Sequence, residues 1–309
     1  MLVLLIVLVS AVVLLGGAAG FALDRLWPSG AHPGTALACW LGALTGTVAA
    51  VAGAVSIGLL WPPTPGHGLL EWLHGCLPHH RTAMTLLAGV ASLPLIWLCC
   101  ARLVRGVPRL RRALRHRRGH RDMLQIVARE DAEHDDVLLL DHPVPVAYCL
   151  PSRWRPIVVS TGARERLSAR QLEAVLEHER AHLRQRHHAL LILIDVVHAL
   201  LPWLPTVRLA KTRIPPLLEM AADDAAARSS GRRTLAEALR QIATTPGLAG
   251  ALAASGQDHG TLSRRLARLE ERARPRRGGR PIAWVLSASA AALPLTAAAT
   301  ALVRLAGPC

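Results

Sequence analysis

Four windows of this chain, 1–23, 35–61, 82–104 and 281–303, each hold about twenty apolar or small residues with almost no charge. At 1.5 Å per helical residue, such a window crosses roughly 30 Å of hydrocarbon. The chain is therefore expected to build four membrane-spanning helices rather than one water-soluble core. Its make-up agrees: 51% of the 309 residues are hydrophobic but only 3% aromatic, and long stretches carry no charge.

The first window opens "MLVLLIVLVS" with no cation ahead of it, so it lacks the basic region of a cleavable signal peptide and reads as a retained span. Arginine placement orients the rest. "RLVRGVPRLRRALRHRRGHR" follows the third window and "RRLARLEERARPRRGGR" precedes the fourth, whereas loop 62–81 carries only Arg81 as a cation. This puts 105–280 in the cytoplasm of a multi-pass cell-membrane protein, with the N-terminus, loop 62–81 and tail 304–309 outside. The organisation expected is three spans within 1–104, a basic linker over 105–121, a domain over 122–280, and a fourth span with a short tail over 281–309.

A formal net charge of +15 also raises nucleic acid as a partner. Both arginine clusters abut expected spans, however, and neither interleaves aromatic residues for base stacking, so they read as topology signals and contacts for anionic lipid; direct nucleic-acid binding is not expected. The six cysteines, at 39, 76, 99, 100, 149 and 309, contain no CxxC pair and suggest neither a zinc ribbon nor a disulfide framework. Cys76 and Cys309 share the external face in this topology and are candidates to pair. One lysine, Lys211, against 35 arginines fits a high-GC bacterial genome.

Within the cytoplasmic section, "DVLLLDHPVPVAYCLPSRWRPIVVSTG" gives three short apolar runs, 137–141, 144–149 and 156–160, punctuated by prolines as in a small sheet. Helical spacing follows in "LSARQLEAVLEHERAHLRQRHH". Ser168 and Gln171 form a capping box, and no glycine or proline interrupts the next turns. Leu172, Val175, Leu176, Glu179 and His182 or Leu183 fall on one face, so the inward stripe becomes polar in its second half. Burying such groups is costly unless a partner or an ion satisfies them.

His178-Glu179-Arg180-Ala181-His182 is HExxH: the spacing stacks two imidazoles one turn apart, able to share a Zn²⁺, with Glu179 placed to take a proton from a water there. Shuffled chains of this composition contain the pattern in roughly 0.03 of cases, so helical context has to add weight. A catalytic zinc needs a third protein ligand. "LLEMAADDAAARSS", read as a helix starting soon after Pro215-Pro216, sets Glu219 and Asp223 at i, i+4: the first could ligate, and the second could accept the free ring N–H of a ligating histidine. An ordinary acidic helix paired with Arg228 is the competing reading.

Taken together, the four-window layout, "AYCLPSRWRPIVVSTG", "LSARQLEAVLEHERAHLRQRHH" and "EMAADDAAA" resemble the BlaR/MecR-type integral-membrane zinc metallopeptidases and the related HtpX-type membrane gluzincins. The resemblance implies an α-helical membrane protein with an inserted α+β zincin-like (gluzincin) cytoplasmic metallopeptidase domain. It implies one Zn²⁺ per chain held by His178, His182 and Glu219, with Glu179 as general base and Asp223 orienting a ligand. It implies a cytoplasmic protein or peptide substrate, such as a transcriptional repressor of the penicillinase-repressor type in a signalling pathway, or self-cleavage in linker 105–121. The antibiotic-sensing members carry an external penicillin-binding domain after the last span, whereas this sequence stops at "LVRLAGPC", so beta-lactam sensing is not expected.

Other polar groups receive plainer expectations. His187 and His188 fall off the ligand face and are expected to face water. "ALLILIDVVHALLPWLP", broken by Asp195, His198 and two prolines, reads as a buried or membrane-skimming helix rather than a fifth span. His198 and Arg228 are candidates to stabilise an oxyanion, selected by no spacing rule. Trp40, Trp61, Trp72 and Trp97 read as interfacial or packing residues. Two rival functions stay open: a non-catalytic signalling protein with a closed structural zinc site using His198 or His187 as fourth ligand, and a basic anchor binding lipid or nucleic acid through 102–121.

Overall fold

The computed structural model describes residues 2–26, 33–60, 128–150, 156–243 and 259–271, with a few isolated positions elsewhere. The expected third and fourth spans, loop 62–81 and most of the basic linker lie outside the described residues, as do Cys76, Cys309, Trp61, Trp72 and Trp97.

The chain opens with α1 (Leu2–Ala11), a π-helical stretch (Val12–Ala18) and α2 (Ala19–Leu26), which continue as one apolar rod, and then α3 (Pro33–Leu60). Val7–Leu26 and Pro33–Ser56 are long and apolar enough to cross a membrane, close to the expected windows. Trp40 is buried between helices, the packing role rather than the interfacial one.

A four-stranded sheet follows, ordered β1 (Arg129–Glu130), β2 (Val137–Leu140), β4 (Ile157–Ser160), β3 (Ala147–Cys149). The central pair β2–β4 is parallel and both flanking pairs are antiparallel. The three apolar runs read from the sequence are β2, β3 and β4; the two-residue β1 is too short to leave a pattern. At the end of β4, Ser160 caps α4 (Thr161–Arg166): its Oγ accepts from Ala163 N–H and donates to the Val144 carbonyl. Gly162 has no room for a side chain, since a Cβ there would lie 2.0 Å from the Pro143 carbonyl oxygen.

Helix α5 (Ala169–Arg184) crosses one face of the sheet, burying Leu176 with Val137, Ile157 and Val159. Both hydrogen bonds of the Ser168/Gln171 capping box are present. On its outer side Arg180, the middle of the HExxH pentapeptide, donates to both Asp136 oxygens and to Glu173 and Glu177, fastening the helix to the start of β2.

Then come α6 (His187–Leu200), α7 (Pro205–Ser230), α8 (Arg232–Ala243) and α9 (His259–Glu270). One expectation is corrected here: α7 does not begin after Pro215-Pro216 but ten residues earlier, and runs through both prolines. Two missing N–H donors do not end a helix whose flanks are held by packing, and Val207, Ala210, Ile214, Leu217 and Leu218 are buried against α3 and α6. Helix α6, with 14 residues, is too short to span and packs on α7, as a buried or membrane-skimming helix would.

Candidate metal centre

The second half of α5 meets the second half of α7, and this crossing brings together the two parts of the motif. His178 Nε2 and His182 Nε2 lie 3.1 Å apart. Glu219, from α7, places Oε2 3.5 Å from His178 Nε2 and Oε1 3.5 Å from His182 Nε2. Four donors at 2.0–2.1 Å around a tetrahedral Zn²⁺ would be spaced by roughly 3.4 Å, so these separations, with one Glu219 oxygen turned to each histidine, are close to the edge lengths of such a polyhedron. Among the described residues, this is the group of histidine, cysteine and carboxylate side chains able to hold a metal ion.

Around these atoms the surroundings sort by charge. Burial alone would raise the Glu219 carboxyl, but His178 and Arg265 beside it prevail and hold it at about 2, ionised as a ligand must be. Burial lowers His182 to about 4, leaving its imidazole neutral. For His178 burial also acts downward, but the carboxylates of Asp223 and Glu219 outweigh it and raise the ring to about 10. Its Nδ1 lies 3.0 Å from Asp223 Oδ1, close enough for an ion pair although off the hydrogen-bond direction. Asp223 thus lies against the ring nitrogen of His178 that faces away from Glu219.

Glu179 lines the same cleft, of about 460 Å³, between the metal group and edge strand β3. Removal from water pushes its carboxyl up to about 7. The Cys149 thiol hydrogen-bonds to it from β3 and stays protonated, since burial and then the Glu179 charge push the thiol up.

Three residues here escaped sequence reasoning. The first is His187, expected to face water but 2% exposed, with Nδ1 2.8 Å from His182 Nδ1 and Nε2 3.0 Å from Gln185 Oε1. One tautomer set satisfies both contacts: His182 Nδ1–H donates to His187, and His187 Nε2–H donates to Gln185. The reason is a reversal that helical spacing cannot represent. Arg186 takes the left-handed conformation, φ 52°, which ends α5 and folds His187 back over His182. His188 also lines the cleft rather than simply facing water. The second is Arg265 of α9, 3% exposed, whose Nη1 reaches Glu219 Oε2 at 3.0 Å and whose Nε and Nη2 hold Asp223. A signal existed: Thr261, Arg265 and Leu269 recur at i, i+4, i+8 on the buried stripe of α9, and a cation on such a stripe calls for buried carboxylates. The third is Cys149. Of the expected oxyanion candidates, Arg228 is exposed and His198 does not line the cleft; the acidic turn pairs instead with Arg265 and Arg268.

Two histidines one helical turn apart, a glutamate between them, and a second glutamate and an aspartate supplied by another helix make a metallopeptidase-type centre. A family model described as BlaR1 peptidase M56 matches residues 80–269, more than half of the sequence. The chain belongs to this family of zinc metallopeptidases. Comparison with curated proteins and with solved structures finds no match.

Proposed function

We propose that the protein is a membrane-embedded zinc endopeptidase, with one Zn²⁺ per chain held by Nε2 of His178, Nε2 of His182 and the Glu219 carboxylate. The observation that carries this reading is the convergence of their donor atoms, 3.1 Å between the two nitrogens and 3.5 Å from each nitrogen to one Glu219 oxygen. When bound, the ion would acidify a water and polarise the scissile carbonyl.

The remaining work falls to the chain's own groups. Glu179, raised toward neutrality by burial, accepts the proton of the attacking water and returns it to the leaving amine. Asp223 and His187 hold the two ligand rings from behind, one on Nδ1 of each. Strand β3 positions substrate. Its pairing with β4 engages the backbone of Val146, Tyr148 and Leu150, so Ala147 and Cys149 turn their N–H and C=O groups outward along the cleft, where an extended peptide can add as a strand.

The peptidase domain is read as residues 122–280, a zincin-like α+β unit in the cytoplasm, placed there by the arginine clusters. Its substrate is a cytoplasmic protein, with a penicillinase-repressor-type transcription factor or linker 105–121 as the candidates that the family suggests. A structural zinc is less well supported: His187 stands behind His182 rather than beside the converging donor atoms, and no fourth ligand joins the group among the described residues.

The test is metal content of the detergent-purified protein. About one zinc per chain is expected in the parent and in Glu179→Gln, and none in Glu219→Ala. A folded parent without zinc would overturn the reading.

A further inference from the structure

We infer that the turn between α6 and α7, residues 201–204, is immersed in the bilayer to about its middle, making α6 and the first half of α7 a re-entrant helical hairpin that enters and leaves by the cytoplasmic face. The inference rests on α1–α3 standing in the membrane, as proposed above.

Depth can be read from contacts with those helices. Gly16 is midway along the apolar segment Val7–Leu26. A Cβ on Gly16 would lie 3.2 Å from the methyls of Leu204 and 3.3 Å from Thr47 Cγ2, so Leu204 is wedged between the middles of the two N-terminal rods. One turn later Gly20 crosses α7 so closely that a Cβ would sit 2.7 Å from Thr206 Cα, and the Gly20 N–H donates to Thr206 Oγ1 at 2.9 Å. Small residues at a helix crossing and a side-chain hydroxyl satisfied by another helix are how helices pack in lipid.

Further along the same line the polar groups begin. Arg213 pairs with Asp24, at the end of α2, with Nε 2.6 Å from Oδ1, and Lys211 pairs with Asp195 of α6. These pairs mark a common level for α2, α6 and α7. From Asp24 back to Gly16 is about 12 Å of helix, close to half of a 30 Å hydrocarbon layer. Below that level α6 and α7 show only His198 and Arg208 as ionisable groups, and Arg208, one turn from Lys211, is long enough to extend its guanidinium back to the belt.

Around the turn, residues 199–204, what the hairpin exposes is apolar. Trp203, 39% exposed, adjoins Leu204 and so lies near the depth of Gly16, where the N-terminal rod exposes Val13 and Leu14. The occupant of this surface is lipid acyl chain, because Trp203 stands in the turn at the depth of Gly16, where Val13 and Leu14 of the span are exposed as well. Glu219 stands about 22 Å along α7 from Leu204, so the hairpin holds the metal centre just outside the hydrocarbon, at the headgroup layer.

The test uses the unmodified full-length protein in phosphatidylcholine vesicles containing a diazirine lipid, with the photoreactive group either at the end of an acyl chain or next to the headgroup. Arg186 and Arg208 release the hairpin as the tryptic peptide 187–208, in which adducts are located by mass spectrometry. The expected result is that the chain-end probe marks Trp203 in a yield about equal to that of Val13 and Leu14, several-fold above that on α8, while the headgroup probe marks the Asp195 region. Headgroup labelling of Trp203 would overturn the inference. So would chain-end labelling centred on 193–196, which means a full crossing, or labelling of the spans with none on 187–208. Labelling of neither hairpin nor spans would remove the membrane reading, and this inference with it.

Discussion

Arg265 grips Asp223 with two parallel hydrogen bonds, Nε to Oδ2 and Nη2 to Oδ1, each 2.8 Å long and both residues almost wholly buried. This pair joins α9 to α7 directly behind His178. Removing one member of a buried ion pair leaves an uncompensated charge, which costs about 3–5 kcal/mol, whereas removing both costs far less. Arg265→Met is expected to lower stability by that amount, and Arg265→Met with Asp223→Leu to recover most of it. Denaturation of the detergent-solubilised variants measures both; a single variant as stable as the parent would show that the pair is not what holds α9 in place.

Glu179→Gln keeps the shape of the side chain and removes its basicity. Turnover of a peptide substrate is expected to fall by about 10²–10⁴-fold with zinc content unchanged. Cleavage at the parental rate would take the proton-transfer role away from Glu179.

His187→Phe fills the same space but cannot accept the His182 Nδ1 proton. Loss of such an orienting partner weakens metal binding by about 10–100-fold. Competition against a chelator of known affinity measures it, and an unchanged affinity would leave His187 as packing only.

Gly162→Ala puts a methyl group against the Pro143 carbonyl, a backbone atom that cannot swing aside. Overpacking of this kind costs about 1–3 kcal/mol. The loss is expected in unfolding experiments, while Gly34→Ala, where nothing lies within 4 Å, is expected to be silent.

Acid stability should report on the sheet. Burial would raise Asp131, but His134 and Arg164 outweigh it, and Arg180 holds Asp136 below its ordinary range. Carboxyls depressed in the folded state contribute stability that is complete above their unfolded pKa of about 3.9 and is lost as pH falls through the lower folded value. Stability is thus expected to drop below about pH 4. Asp136→Asn should be less stable at neutral pH and show a shallower drop; identical acid profiles for parent and variant would discount this ion pair.

Much of the site was legible because it lies within single helices. A spacing of four stacks His178 over His182, and the same spacing relates Glu219 to Asp223; each follows from 3.6 residues per turn whatever the rest of the chain does. The capping box of α5 and the three apolar strands are likewise local, as are the two N-terminal apolar helices. His187 was not legible because one residue, Arg186, leaves the helical region and reverses the chain. The N-terminal extension of α7 was hidden behind two prolines whose helix-breaking tendency is overridden by packing.

By itself, then, the sequence determined each half of the metal centre and the helices that carry them, since side-chain spacing along a helix needs no tertiary information. Only the tertiary structure decided that α5 and α7 cross where Glu219 meets both histidines. It also set Arg265, 42 residues from Asp223 along the chain, behind the ligands, and wedged Leu204 against Gly16. Those relationships depend on how separate elements bury one another's apolar faces, and separation along the chain carries no record of that packing.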